Sequence, residues 1–305
     1  MTSSTVPADS LSHEDVYRAL VRSLRRHEGF GLLFVQCTPA RANGLVEELT
    51  QDLPLKNLGS LDLTEPIQTL YDRVAQRDGV DTLDILVVTG LDKSLEADIK
   101  PGYNGDGDYY NLNTVPPILA HLNQQRETFR DHFNHLCFVF PLPFYGVKYF
   151  IRRAPDFFDW GKGVFELPTH QDMVKQESTR LLAEGEYQKY LQWTQTERDQ
   201  RILEIQTWLD ASDQSSEQQE YLWFEQGNLF HASKRYEEAI ASYDKAIEFK
   251  PDNDAAWSNR GNALSALGRK EEAIASYDKA IEFKPDNDAA WSNRGNALSA
   301  LGRKE

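Results

Sequence analysis

The chain has 305 residues but only two cysteines and two methionines, and its 33 lysines and arginines are outnumbered by 48 aspartates and glutamates. Two cysteines, Cys37 and Cys137, cannot build a disulfide framework and give no metal-ligand spacing, which fits a reducing compartment. The shortage of basic residues leaves a net charge of −15. That argues against a general nucleic-acid or anionic-membrane binder, since either needs a basic face. No apolar run approaches the roughly 18 residues of a membrane-spanning helix, and the opening MTSSTVPADSLS lacks the basic and apolar regions of a signal peptide. The expectation is a cytoplasmic protein of two domains, or of one domain and a solenoid.

What the chain does have is repetition. Residues 237–270 read EEAIASYDKAIEFKPDNDAAWSNRGNALSALGRK, and residues 271–304 read the same. A diverged copy precedes them, with Trp223, Gly227, Ala239, Tyr243, Ala246 and Pro251 where the second copy has Trp257, Gly261, Ala273, Tyr277, Ala280 and Pro285. In one period of 34 residues, Trp257, Gly261 and Leu264 share one face of a first helix, and Ala273, Tyr277 and Ala280 one face of a second. Gly261 and Ala273 are small where the two helices must approach, Gly268-Arg269 falls at the turn, and Pro285 stops the second helix.

This pattern resembles the tetratricopeptide repeat over about residues 220–305, and the resemblance implies an α-α superhelix that binds a partner protein or peptide. Where the family commonly has Leu before the small Gly, this chain has Gln226, Arg260 and Arg294, whose stems can still cover apolar surface. Glu305 falls before the second helix of a third copy, which suggests a fragment of a longer array. The groove expected to hold the partner is lined by first helices, with Asn228, Asn259, Asn262, Asn293 and Asn296 as candidate contacts, because an amide both donates and accepts. The same asparagines could instead bridge adjacent repeats.

From residue 13 to 168 helices alternate with apolar strands. Ser12 with Asp15, and Leu11 with Val16, suit the start of a first helix, whose apolar face is Val16, Ala19, Leu20 and Leu24. Strands are expected at Gly31–Cys37, Leu58–Leu63, Leu83–Val88, Leu136–Leu142 and Val164–Leu167. Helices are expected at Ala40–Gln51, Pro66–Gln76, Pro117–His132 and Phe144–Arg153. Five nearly all-apolar strands with helical crossovers predict a three-layer, mainly parallel sheet covered on both faces, with ligands beyond the strands' carboxyl ends. Parallel neighbours would also hold Cys37 and Cys137 on the order of 10 to 20 Å apart, too far for a disulfide.

That order, with strand one opening into a turn and helix, resembles the core of the signal-transduction P-loop ATPases, which implies an ATP and magnesium site. The motif GxxxxGK[ST] supplies backbone N–H groups, a Lys and a magnesium-holding hydroxyl. Here the loop reads Gln36-Cys37-Thr38-Pro39-Ala40-Arg41-Ala42-Asn43-Gly44-Leu45, with no Lys, no paired glycines and no terminal hydroxyl. In Leu86-Val87-Val88-Thr89-Gly90-Leu91-Asp92, Thr89 takes the place of the magnesium-ordering carboxylate, and Asp92 can act only if the strand end curls back. Thr38, Arg41, Thr89 and Asp92 are the candidates for a vestigial ligand pocket. Catalytic residues, a cofactor and a metal site are not expected.

Three further stretches carry alternatives. Asn104-Gly105-Asp106-Gly107-Asp108-Tyr109, within a loop from Asp98 to Asn113, has the outline of a calcium loop but puts Tyr109 and Val115 where a Gly and a Glu are needed, so a solvated loop or lid is the simpler account. His132 and His135 follow His121 near a helix end, where a basic side chain caps the helix. Arg152-Arg153-Ala154-Pro155-Asp156-Phe157-Phe158-Asp159-Trp160 is either a docking patch or a lid on the sheet; it resembles a stretch before the last strand of bacterial tetratricopeptide proteins. Residues 169–219 read as a helical connector, lever or spacer, with Thr169 and Asp172 at its start and a linker over Ala211 to Gln219. The connector is too short for the helical and winged-helix modules of the ATPase family. The chain is therefore expected to be a non-catalytic scaffold, with a nucleotide-dependent signalling switch as the alternative.

Overall fold

The computed structural model describes residues 13–96, 98–99, 115–167, 187–210 and 214–303. The calcium-like loop, Leu11, Ser12, Thr169 and Asp172 lie outside them. The chain divides into two compact units, Met1–Asp98 with Leu112–Thr169, and Ile99–Asn111 with His170–Glu305.

In the first unit, α1 (His13–Arg25), β1 (Gly31–Gln36), α2 (Pro39–Asp52), β2 (Leu58–Asp62), α3 (Tyr71–Ala75), β3 (Ile85–Thr89), α4 (Lys93–Glu96), α5 (Pro117–His132), β4 (Cys137–Leu142), α6 (Phe144–Arg153), α7 (Pro155–Phe158) and β5 (Gly161–Glu166) follow in order. The sheet order is β2-β3-β4-β1-β5, and every pairing is parallel. Its core strands bury side chains on both faces by simple alternation. Leu33, Val35 and Val139 meet Leu20, Leu24, Leu45 and Leu49 on one side. Phe34 and Phe140 stack at 5.6 Å on the other, against Phe150 and Phe157.

Coverage is less complete than expected at the edges, where β2 and β5 are partly exposed. In β5 the pairing register shifts opposite Leu32 and Phe34, and Gly163 takes φ 106°. A bulge of this kind blunts an open sheet edge. The helix expected from Pro66 begins only at Tyr71; ahead of it the Ile67 N–H donates to Ser94 Oγ at 2.9 Å, which fastens this segment to α4. Gly31 pairs with Cys137, so Cys37 lies at the far end of the neighbouring strand, and both thiols are free and buried.

The second unit is helical: α8 (Tyr187–Gln192), α9 (Gln195–Leu209), α10 (Ser216–Ala232), α11 (Tyr236–Phe249), α12 (Asp254–Ala266), α13 (Lys270–Phe283) and α14 (Asp288–Ala300). Capping boxes start α9 at Thr194 with Glu197 and α10 at Ser215 with Gln218, so the expected linker up to Gln219 is in part the first turn of a helix. The connector is more than a spacer. Tyr190, Ile202, Ile205 and Trp208 share one buried cluster with Leu222, Leu229 and Phe230, making α8 and α9 a packed layer against the first repeat.

Each helical pair closes as the small residues require. A Cβ on Gly261 would meet the Tyr277 ring at 2.5 Å, and one on Gly227 would meet Tyr243 at 2.5 Å. The turn residue Gly268 has φ 80°, and the equivalent Lys234 of the diverged copy is forced to φ 59°. The unusual arginine keeps its place by pairing outward: Arg260 Nε donates to Asp244 at 2.6 Å and its Nη1 to Ser276 at 2.6 Å, while its guanidinium lies 5.8 Å from the Trp257 ring centre.

Candidate functional site

The four strands β1 to β4 end around one cavity of about 130 Å³. Its polar lining comprises Asn43, Asp62, Thr89, Asp92 and Lys93, and Cys37 with several prolines completes the wall. Gly90, at φ 74°, turns the chain so closely past Leu63 that a Cβ would sit 2.2 Å from its carbonyl oxygen. That turn brings Asp92 back over the strand end. Asp62 and Thr89 face each other in register, and the Thr89 hydroxyl donates to Asp62 Oδ1 at 2.9 Å.

Of the four residues expected here, Thr89 and Asp92 line the cavity, whereas Thr38 and Arg41 do not. Thr38 Oγ1 caps α2 by accepting from the Arg41 N–H at 3.3 Å, and Pro39 follows at the first helical position, where a missing N–H costs nothing. Arg41 turns along the helix to Glu48, in a two-pronged pair at 2.8 and 2.7 Å. Asp62, Asn43 and Lys93 were missed, although Asp62 ends β2 as Thr89 ends β3, and the rule that ligands gather at strand carboxyl ends would have found it.

Burial raises the Asp92 carboxyl above its ordinary value, and the Asp62 charge adds to this, while Lys93 and nearby backbone N–H groups oppose it. Burial also pushes the Cys37 thiol up to about 12, which leaves it protonated and unreactive. The histidines do not converge. His132 bonds Tyr71, His135 Nε2 lies 3.3 Å from the Val80 carbonyl, and among the described residues no cluster of His, Cys, Asp and Glu could hold a metal ion. The aromatic stretch after α6 is a lid: Phe157 is fully buried, Arg130 lies over Trp160, and Asp156 pairs with Arg126 at 3.6 Å rather than with Arg152 or Arg153.

In the second unit the first helices α10, α12 and α14 lie side by side. Their asparagines form a ladder. Asn228 Oδ1 accepts from Tyr243 at 2.9 Å and from Asn259 at 3.0 Å, and Asn262 Oδ1 accepts from Tyr277 at 2.9 Å and from Asn293 at 2.8 Å. Each rung ties a first helix to its own second helix and to the next repeat. Asn296 is exposed. In the diverged copy Glu225 stands where Asn259 stands in the next; it is buried, its carboxyl is raised by that burial, and it accepts from Tyr190 and, at 3.1 Å, from Asn228. Beside the ladder runs an uncharged row in which Ala255, Ala266, Ala289, Ser299 and Ala300 are exposed.

No helix among the described residues is long and apolar enough to cross a membrane. The family model for the TPR repeat matches residues 227–268 and 261–302. No curated protein matches the chain. Among solved structures, the first TPR domain of human RPAP3 is similar over 43% of this chain and 91% of that one, at 22% identity and a TM-score of 0.33. The Sgt2 TPR domain from Aspergillus fumigatus is similar over 44% and 82%, at 21% identity and a TM-score of 0.32. The Arabidopsis OM64 TPR domain is similar over 42% and 94%, at 15% identity and a TM-score of 0.34. With the family match over residues 227–302 and the closed helical pairs described above, the C-terminal unit carries tetratricopeptide repeats.

Proposed function

We propose that the protein is a non-catalytic interaction scaffold that holds a partner protein or peptide along the first helices of its repeats. The observation that carries this reading is the open row beside the asparagine ladder, exposed at Ala255, Ala266 and Ala289. It is uncharged and offers small side chains and amides, which suit an extended backbone rather than a nucleic acid or a membrane. The ladder moves the contact from Asn228, Asn259, Asn262 and Asn293, whose bonds hold the array, to this row and to Asn296. A net charge of −15 argues against a nucleic-acid or anionic-membrane partner.

The first unit supports the same reading as a P-loop-like frame without its phosphate machinery. Its β1–α2 loop reads Pro39-Ala40-Arg41-Ala42-Asn43, and Arg41 is spent on Glu48. The domain division that follows is residues 13–168 for the frame, 169–219 for a connector and 220–305 for the repeats. Affinity capture with the chain, repeated with Ala255→Arg and Ala266→Arg together, tests the groove: partners held there are lost from the variant while helical circular dichroism is kept. An unchanged set of captured proteins would refute it. Calorimetry with ATP, ADP and magnesium tests the rival, a nucleotide-dependent signalling switch. The scaffold reading expects no saturable heat.

A further inference from the structure

The cavity at the carboxyl ends of β1 to β4 has no part in that scaffold, and its chemistry runs opposite to a phosphate site. An anion site gathers backbone N–H groups and cations. Here Pro39 removes an N–H, and Ala42 and Asn43 line the wall without charge. The charged lining is Asp62, Asp92 and Lys93, a balance of one net negative charge.

Asp92 is 7% exposed and faces this cavity. No side-chain donor among the described residues bonds it; the N–H groups of Asp92 and Lys93 are what reach its carboxylate. A carboxylate has about four acceptor positions, and a buried one left short of partners is costly. The Thr89 hydroxyl orients Asp62 through Oδ1 and leaves its other oxygen for a second donor. The Lys93 N–H donates to the Gly90 carbonyl at 3.3 Å, but its ammonium has no hydrogen-bond partner among the described residues. A cavity of roughly 150 Å³ accepts benzene, so about 130 Å³ suits a ligand of about six non-hydrogen atoms. A divalent cation would set a double charge beside the Lys93 ammonium and, with two carboxylates, would have to fill the rest of its shell with water. A primary ammonium asks for three acceptors.

We infer that this cavity binds a small organic amine in its ammonium form, with Asp92 and Asp62 as its charged acceptors and the proline-lined wall against its methylene groups. Lys93 is the competing internal cation. It lowers affinity for the amine, whereas in a phosphate site it would be the principal ligand.

The test is calorimetry on the whole chain with putrescine as probe, beside inorganic phosphate, ADP and magnesium chloride. Putrescine gives saturable heat and the other three do not. Asp92→Asn and Asp62→Asn each weaken putrescine by about tenfold or more, the usual loss for a hydrogen bond to a charged group, with the circular dichroism of the chain unchanged. Lys93→Met tightens putrescine severalfold. The inference is overturned if putrescine gives no saturable heat, if it binds Asp62→Asn and Asp92→Asn as well as the parent, or if magnesium alone saturates the site. It is also overturned if phosphate or ADP binds and loses that binding in Lys93→Met.

Discussion

Two glycines in letter-identical surroundings of sequence should respond oppositely to the same substitution. Gly261 and Gly295 occupy the same place in the second and third copies. A Cβ on Gly261 would lie 2.5, 2.8 and 2.9 Å from three atoms of the Tyr277 ring, while one on Gly295 would have nothing within 4 Å. The ring cannot swing away easily, since Tyr277 is 1% exposed and its hydroxyl is held by Asn262. Alanine gains about 0.8–1.0 kcal/mol over glycine in a helix interior, and this gain is common to both sites. Overpacking costs about 1–3 kcal/mol, and it applies to Gly261 alone. In a chain of residues 1–305, Gly295→Ala should therefore raise stability by up to about 1 kcal/mol, and Gly261→Ala should lie about 1–3 kcal/mol below it. Urea unfolding followed by far-ultraviolet circular dichroism measures the difference. Hydrogen exchange in α12 and α14 locates it, because repeat arrays can open in parts. Equal shifts for the two variants would refute the argument that Tyr277 closes on Gly261.

Asn262→Ala strands both the Tyr277 hydroxyl and the Asn293 amide and should cost about 1–3 kcal/mol, whereas Asn296→Ala should be near neutral in the same urea experiment. Lys234→Gly relieves a left-handed backbone held at φ 59° and should stabilise the second unit by about 1 kcal/mol, read as a rise in urea midpoint. His27 is buried and neutral, accepting from Lys162 at 2.8 Å, and burial first, then the Lys162 charge, lowers its pKa. Its unfolded form takes up a proton more readily, so stability is full above the ordinary histidine value near 6.5 and falls as pH drops through it, levelling below the folded value. His27→Gln should flatten part of that fall in thermal melts between about pH 7 and 5, with His121, also lowered by burial, supplying some of the rest.

The elements themselves were legible because local chemistry sets them. Thr38-Pro39 starts α2, Asn253 caps α12, and alternation of Leu33, Phe34 and Val35 builds a strand buried on both faces. Where the reading was incomplete, a distant residue intervened. Ser94, on α4, accepts the Ile67 N–H and fastens the stretch ahead of α3 in a non-helical course. Trp208 and Tyr190 join the repeat core, although their own segment is polar enough to pass for a spacer. Arg41, placed by its position in the loop, is turned away by Glu48 seven residues along its own helix, a rotamer choice that spacing cannot express.

By itself, then, the sequence determined a helix-pair repeat and a parallel α/β unit, since periodicity, small residues at close approaches and proline stops act within a few turns of chain. The absence of a phosphate loop was equally a matter of residue identity. Only the tertiary structure decided that Asn228, Asn259, Asn262 and Asn293 form rungs between repeats, and that Asp62, Thr89, Asp92 and Lys93 share one cavity. Both depend on side chains from separate elements meeting in space. That meeting is set by how helices and strands pack, which no local spacing encodes.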